Sequence, residues 1–180
     1  MKGLIDEMLM LAQSENTSAA SQAQMKELNL SDITTQACLT FDAVAFEAGV
    51  MMNDDIEQNL AINGDNTQIT RLVKILIDNA IKYAGVNGTV DVGLHKTSKS
   101  KATLTVHNTG NPIPQDQLEH VFDRFWRSDE SHTRTSNGSS YGLGLAIAKS
   151  ICDSHNATIS VTSTEQEGTT FKVDFNTLVK

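Results

Sequence analysis

"ILIDNAIKY", residues 75–83, belongs to the stretch that decides the fold, because its apolar and polar residues separate onto two faces of a helix. The spacing over residues 68–85 predicts one long helix that stops at Gly85. Its apolar stripe consists of Val73, Ile77, Ala80, Ile81 and Ala84. We therefore expect this helix to pack against the core along that stripe.

A second face of the same helix carries Asn79, Lys82 and Tyr83 at helical spacing. Apolar residues lie on that side too, so Asn79 would be partly buried and would need a partner for its amide. A neutral amide oxygen suits Mg²⁺, which takes its other ligands from phosphates and water. Lys82 could then meet phosphate, and Tyr83 could flank a flat ring. The alternative is an ordinary amphipathic helix with a surface asparagine and lysine.

The segment "SSYGLGLAIAK", residues 139–149, contains a second set of candidate residues. Gly142 and Gly144 bracket a predicted helix start, where unpaired N–H groups and the positive end of the helix dipole favour phosphate. An ordinary helix start after a loop explains the same glycines nearly as well.

The segment "VHNTGNPIP", residues 106–114, follows an alternating apolar stretch. If the strand alternation continues, Asn108 lies on the same face as Leu104 and Val106 and points inward at a strand end. Gly110 relaxes the backbone there. Taken alone, the segment is either a turn that ends a strand or the wall of a binding site.

Composition narrows the class of protein. With 180 residues, 39% of them hydrophobic, the chain forms one ordinary domain with a real core. A net charge of −8 argues against a nucleic-acid partner. The sequence has no apolar run long enough to cross a bilayer. Cys38 and Cys152 lack metal-type spacing and are expected to be reduced, buried thiols, with a disulfide as the alternative.

Arginine is concentrated in one place. Three of the four arginines fall in "RFWRSDESHTR", residues 124–134. In an acidic chain this cluster is suited to a local anion such as phosphate, although a solvated basic patch with interleaved acids remains open.

The remaining pattern predicts an α+β fold, a two-layer sandwich in which a mixed, mostly antiparallel sheet packs on helices. Residues 1–15 have helical spacing, and residues 16–25 read as a small, polar linker, so the folded domain would cover residues 26–180. Ser31 is the expected cap of a helix over 32–49, and Asn66 or Thr67 that of the long helix. A short helix is expected at 115–123, and a helix that opens at Gly142.

Strands are expected at 26–30, 50–56, 58–65, 89–96, 101–108, 157–163 and 169–175. Residues 50–56 and 58–65 are expected to pair with each other. The last two strands form a hairpin with inward-facing residues Ile159, Val161, Phe171, Val173 and Phe175.

In their order along the chain, these motifs resemble those of the ATP-binding catalytic domain of sensor histidine kinases, in the superfamily that includes gyrase, the Hsp90 chaperones and MutL. "DNAIKY" is similar to the N box, "HNTGNPIP" to the first glycine box, "VFDRFWR" to the F box and "GLGL" to the second glycine box. "GTTF", residues 168–171, is similar to the closing strand. The resemblance covers about residues 28–176 and implies the Bergerat-type ATP-binding fold.

The resemblance implies ATP and Mg²⁺ as ligands, with a role for each matching residue. At the base, Tyr83 would border the adenine, Asn108 would accept a hydrogen bond from its amino group, and Gly110 and Ile113 would line the pocket. Asn79 would hold Mg²⁺.

At the phosphates, the resemblance implies contacts from Lys82 and from Gly142, Leu143 and Gly144. Arg127 and Arg134 would belong to a lid over the terminal phosphate. Phe122 and Phe125 would anchor that lid by packing.

The implied function is that of the catalytic domain of a two-component sensor histidine kinase. It would transfer the γ-phosphate of ATP to a histidine on an upstream helical domain, for relay to a response regulator. None of the five histidines begins a His-acid motif, so the acceptor is expected outside this chain. Residues 1–15 resemble the end of the helical hairpin that precedes such domains. The resemblance further implies a cytoplasmic domain of a membrane-bound receptor, with a homodimer expected for the longer protein.

Departures from the family pattern leave an alternative. Asn108 replaces the usual Asp, Pro112 the second Gly, and Ser139–Ser140 a pair of glycines, which fits an inactive or regulatory nucleotide-binding module. Ile75 stands where the hydrolases of the superfamily have a Glu, and it argues against an ATP hydrolase.

Overall fold

The computed structural model describes residues 25–126 and 142–178. In chain order these residues form β1 (Lys26–Asn29), α1 (Leu30–Glu47), β2 (Met51–Ile56), β3 (Ala61–Gly64), α2 (Asn66–Tyr83), β4 (Thr89–Ser98), β5 (Lys101–Asn108), a 3₁₀ helix (Gln115–His120), α3 (Gly144–Ser154), β6 (Thr158–Thr164) and β7 (Gly168–Asn176). The helix and strand order expected from the periodicity is therefore present.

The main sheet is mixed and mostly antiparallel, as predicted. Its order is β2-β4-β5-β7-β6, with β2 parallel to β4 and the other neighbours antiparallel. The helices form the second layer: α2 packs against β4 and β5, α1 against β2, and α3 against β6 and α2. This arrangement confirms the two-layer sandwich and places the end of α2 beside the central strands.

Period-two alternation explains the core side of the sheet. The inward residues of β4 and β5 are almost fully buried: Val90, Val92, Leu94, Leu104 and Val106. Each such side chain contributes about 1.5–3 kcal/mol by leaving water. In the β6–β7 hairpin, Ile159 lies opposite Val173 and Val161 opposite Phe171, as the sequence predicted.

The predicted pairing of residues 50–56 with 58–65 is wrong. β2 pairs with β4, and β3 pairs with β1 in a separate two-stranded sheet. The turn between β2 and β3 is held by the start of α1, because Ser31 Oγ donates to Glu57 O at 2.6 Å and Leu60 N donates to Ser31 Oγ at 3.1 Å. These contacts direct β3 towards β1.

The expected helix caps are displaced by one or two residues. Asn29, not Ser31, caps α1 by accepting from the N–H groups of Ser31 and Asp32, since the Ser31 hydroxyl is engaged with the turn. Asp65, not Asn66 or Thr67, caps α2 by accepting from Gln68 N at 3.0 Å. Asn66 and Thr67 are already helical.

Two other boundaries differ from expectation. The helix expected at 115–123 is a 3₁₀ helix that ends at His120. Gly142 precedes α3, which begins at Gly144, because the φ of +72° at Gly142 is not helical.

His155 joins the end of α3 to the start of α2. Its Nε2 accepts from Asp65 N at 3.0 Å, and Nδ1, which must then carry the proton, donates to Ile151 O at 2.8 Å. The ring is buried, and that burial lowers the pKa of His155 below its usual value. A neutral histidine therefore fixes the turn in which Asp65 caps α2.

Both cysteines are free and buried. Burial raises the pKa of Cys38 and of Cys152 to about 12. This confirms the predicted buried thiols.

Candidate functional site

Helix α2 separates its two faces as predicted. Val73, Ile77 and Ala80 are fully buried, whereas Asn79 is half-buried and Lys82 is exposed. Lys82 Nζ lies 2.6 Å from Asp78 Oδ2, and both side chains are close to half exposed. An exposed pair of this kind contributes at most about 1 kcal/mol, so Lys82 can exchange its carboxylate for another anion.

The end of α2 is bonded to the end of β5 through Thr109. Thr109 Oγ1 donates to Ala84 O at 3.0 Å and accepts from Thr89 N at 2.8 Å. Gly110 follows with a φ of +119°, and a Cβ at this position would overlap with the carbonyl oxygen of Tyr83. Only glycine combines this backbone angle with such a close approach. The helix end that carries Tyr83 and the strand end are therefore in direct contact.

Asn108 points inward at the end of β5, as predicted. It is 2% exposed, and its Nδ2 donates to Thr109 O at 2.6 Å. Gly168, the first residue of β7, has a φ of +74°, and a Cβ there would overlap with Asn108 O. Asn108 is thus a buried amide held between the loop after β5 and the start of β7.

Ile113 is anchored to the far edge of the sheet. Its N–H donates to Ser163 Oγ at 2.8 Å, and that hydroxyl is also 2.7 Å from Thr169 Oγ1. Ile113 is half-buried and packs against the core. The segment that starts at Asn108 therefore runs along the ends of β5, β7 and β6.

The start of α3 approaches α2 one turn before Asn79. Leu143 is fully buried at the N-cap, and no described side chain caps the helix there. A Cβ on Gly144 would come 3.5 Å from Cγ2 of Ile75. The uncapped first N–H groups of α3 can serve an anion.

The residues that flank 127–141 meet each other. Phe125 N donates to Gly142 O at 3.0 Å, and a Cβ on Gly142 would come 2.7 Å from Trp126 O. Arg127 and Arg134 lie outside the described residues.

The two phenylalanines expected to anchor the lid differ. Phe122 packs edge-on against Phe171 with ring centroids 6.3 Å apart. Phe125 is 55% exposed with a φ of +63°, and its backbone N–H donates to Gly142 O. The expectation that the two rings anchor the lid stays a prediction, because the lid lies outside the described residues.

Among the predicted residues, the structure brings Tyr83 and Gly110 together, with Asn108 two residues away, and sets Gly144 beside the turn that precedes Asn79. Sequence reasoning missed Thr109, although it stands between the two singled-out residues Asn108 and Gly110. No helix in the described part of the chain is both long and apolar enough to cross a bilayer.

Comparisons with a family model and with curated proteins point to the same family. The model of the family "Histidine kinase-, DNA gyrase B-, and HSP90-like ATPase" matches residues 64–178. The chain is 32% identical to the sensor protein DltS of Streptococcus agalactiae over 159 residues, which are 88% of this chain and 39% of that protein. It is also 32% identical to the sensor histidine kinase YkoH of Bacillus subtilis over 176 residues, 98% of this chain and 37% of that protein. The chain thus spans about two fifths of the length of these curated relatives.

Solved structures share the fold. The mycobacterial sensor histidine kinase MprB matches with a TM-score of 0.73 and 22% identity, covering 87% of this chain and 99% of that one. The histidine kinase ThkA, in a complex with the response regulator protein TrrA, matches with a TM-score of 0.68 and 24% identity, covering 86% of this chain and 42% of that one.

Proposed function

The chain belongs to the histidine kinase-, DNA gyrase B- and HSP90-like ATPase family, and we propose that it binds Mg²⁺–ATP and transfers the γ-phosphate to a histidine of a sensor kinase. The observation that carries the proposal is the contact between the ends of α2 and β5, where Gly110 lies against the Tyr83 carbonyl. This contact brings the backbone of Tyr83, whose side chain is half exposed, to a strand end that carries a buried amide.

The base end of the proposed site consists of Tyr83, Asn108, Gly110 and Ile113. The Asn108 amide donates to Thr109 O, which fixes its orientation and leaves its carbonyl oxygen as the acceptor for an exocyclic amino group. Tyr83 is 46% exposed and offers a ring face to a purine. Gly110 keeps this end open, because any side chain there would displace the helix end.

The phosphate end consists of Asn79, Lys82 and the start of α3 at Gly142, Leu143 and Gly144. Among the described residues Lys82 forms an exposed ion pair with Asp78, which is weak enough for Lys82 to turn to a phosphate oxygen. The uncapped N–H groups of α3 stabilise negative charge at the same side of α2. Arg127 and Arg134 would add positive charge over the terminal phosphate.

The donors present fit Mg²⁺. Asn79 is half-buried on the face that also carries Lys82, and its amide oxygen is a hard, neutral ligand. When bound, the ion would neutralise part of the phosphate charge. The chain's own contribution is to position the nucleotide and to present it in line to an acceptor.

The acceptor histidine and the downstream aspartate are proposed to belong to partners. We propose that residues 1–15 end a helical hairpin, that 16–25 link it to the catalytic domain at 26–180, and that the hairpin carries the acceptor and dimerises in the longer protein. ThkA, whose fold this chain shares, is seen in a complex with a response regulator protein, which supports a regulator as the final acceptor. A cytoplasmic position beneath a membrane-bound sensor is part of the same proposal.

The proposal is tested by isothermal titration of the whole chain with a non-hydrolysable ATP analogue and Mg²⁺. Binding in the micromolar to millimolar range is expected, and it should weaken when Mg²⁺ is withheld. No binding would reject the ATP site. Binding followed by transfer to a supplied helical acceptor domain establishes the kinase reaction.

A regulatory nucleotide-binding module is the second candidate, favoured by Asn108 and Pro112. It predicts binding without transfer in the same experiment. Hydrolysis is disfavoured because Ile75, which faces Gly144, is aliphatic and cannot activate water.

A further inference from the structure

The solvent side of α1 is apolar, although the outer side of a surface helix is normally polar. Leu39 and Phe46 are 72% and 85% exposed, and Ala43 between them is exposed as well. A different side of the helix faces the core, with Ala37 and Ala45 among its buried residues. Leu39, Ala43 and Phe46 therefore form an outer stripe that does not contribute to the core.

Helix α2, in the same layer, has the usual polar solvent side. Its exposed residues include Lys74 and Lys82, and Lys82 forms an ion pair with Asp78. A single exposed leucine on a protein surface is ordinary. A leucine and a phenylalanine exposed on one side of one helix form a patch, and exposed apolar patches mark interaction sites.

The outer stripe has the spacing of a helix-packing seam. Leu39, Ala43 and Phe46 lie at i, i+4 and i+7, which correspond to successive d, a and d positions of a heptad. The small Ala43 between two large side chains leaves a notch that an apolar side chain of a partner can enter. The stripe is about 10 Å long at 1.5 Å per residue, or two helical turns. The partner that fits this geometry is another helix.

The charges beside the outer stripe are negative. Asp42 and Glu47 occupy the g and e positions that flank the seam, and α1 has a third carboxylate, Asp32, but no lysine or arginine. Burial, and in addition the carboxylate of Asp54 on β2, raise the pKa of Cys38, so a further negative charge lies near the turn before Asp42. A second copy of this chain would bring the same carboxylates to the seam and be repelled, whereas a basic helix would be attracted.

We propose that an amphipathic helix of another protein, with basic residues beside its apolar seam, docks on the outer stripe of α1. Its apolar side chains cover Leu39 and Phe46 and fill the notch at Ala43. Its lysines or arginines pair with Asp42 and Glu47. This docking does not depend on the proposed function, because no residue of α1 belongs to the proposed nucleotide site.

A synthetic helix tests the docking on the whole chain. The probe is a labelled peptide of about three heptads with leucine at the a and d positions and lysine at e and g, and the control peptide has glutamate in place of lysine. Fluorescence anisotropy without nucleotide should show micromolar binding of the lysine peptide. The glutamate peptide should bind on the order of tenfold more weakly or less. No binding of the lysine peptide, or equal binding of both peptides, would overturn the proposal.

An apolar residue inside the outer stripe and one outside it distinguish docking from general attraction between a cationic peptide and an acidic protein. Phe46→Ser should weaken binding of the lysine peptide on the order of tenfold. Val86→Ser, at a residue that is 84% exposed in the loop after α2, should leave binding unchanged. Circular dichroism verifies that both variants are folded. Equal affinities of the two variants would place the peptide elsewhere and contradict the docking.

Charge reversal beside the stripe provides a second measurement. Asp42→Lys should weaken binding of the lysine peptide several-fold and strengthen binding of the glutamate peptide, because the flanking charge is inverted. Glu165→Lys changes the net charge by the same amount at an exposed position of the β6–β7 turn and should affect neither peptide. Light scattering measures the oligomeric state in parallel. A dimer that Phe46→Ser dissociates would make the stripe an interface between two copies and would reject the proposal.

Discussion

Gly110 and Tyr83 are in backbone contact: the α-carbon of Gly110 lies so close to the Tyr83 carbonyl oxygen that a Cβ would overlap with it. The contact joins the loop after β5 to the end of α2, the two elements that form the base end of the proposed site. Both the position and the φ of +119° exclude a side chain.

Replacement of Gly110 by Ala should therefore lower the free energy of unfolding by about 3 kcal/mol, from backbone strain together with steric overlap. Urea denaturation measures the change. Gly49→Ala is the matched control, because Gly49 has a φ of +68° but nothing within 4 Å of its added Cβ, and it should cost only about 1 kcal/mol. Equal losses in the two variants would show that the contact with Tyr83 is unimportant.

Thr109→Val should destabilise the protein by about 1–3 kcal/mol, because Thr89 N–H and Ala84 O both lose their partner hydroxyl. Thr109→Ser, which keeps the hydroxyl, should lose much less. Nucleotide affinity should follow the same order, since Thr109 holds the α2 end against the β5 end. Urea denaturation and titration calorimetry give the two quantities, and a valine variant as stable as the wild type would contradict this role.

Asn79→Ala and Asn79→Asp should each abolish phosphotransfer to a supplied acceptor domain, because the proposed Mg²⁺ ligand is lost or altered. The fold should stay intact, since Asn79 is only half-buried. Gln36→Ala removes an exposed amide from α1 and should leave transfer unchanged. Near-normal transfer by either Asn79 variant would show that Asn79 does not hold the metal.

The protein should lose stability as the pH falls below about 6.5, the ordinary pKa of histidine. Burial lowers the pKa of His155 in the folded protein. At pH values between the folded-state and unfolded-state pKa, His155 binds a proton in the unfolded chain but not in the folded chain, and this favours unfolding. The free energy of unfolding continues to fall until the pH reaches the folded-state pKa of His155. The fall is about 1.4 kcal/mol for each pH unit between the unfolded-state and folded-state pKa. Urea titrations between pH 7.5 and 5 measure it.

Two substitutions distinguish the contribution of His155 to the loss of stability in acid from the contributions of other groups. His155→Gln should be less stable at pH 7.5, where the bond to Asp65 N is lost, but should show a shallower decline in acid. Gln36→Ala, at an exposed position of α1, should keep the wild-type pH profile. An unchanged decline in the His155 variant would assign it to other groups.

Local periodicity predicted much of this fold and part of the site. The alternation of β4 and β5 placed Asn108 inward, and the stripe of α2 separated Ile77 from Asn79, because these patterns depend only on residues close in sequence. The pairing of β2 was not predictable in this way, since its partner β4 begins at Thr89, beyond a whole helix. The prediction that Ser31 caps α1 was wrong for a related reason, because its hydroxyl donates to Glu57 O, which is distant in sequence.

Thr109 shows a further limit of prediction from local sequence patterns. A single threonine belongs to no periodic pattern, and its two hydrogen bonds are to backbone groups that only the fold brings near. The proposed ligand set consists of the residues predicted from the sequence: Asn79, Lys82, Tyr83, Asn108, Gly110, Ile113, Gly142, Leu143 and Gly144.

Strand β3 holds both ends of the described fold. Leu28 of β1 pairs with Ile62, Thr177 forms a bridge to the same Ile62, and Leu178 N donates to Ala61 O. Two tethers attached near Lys26 and Leu178 would therefore leave from neighbouring points. Tension between such tethers would be carried first by the contacts that β3 makes with these two ends.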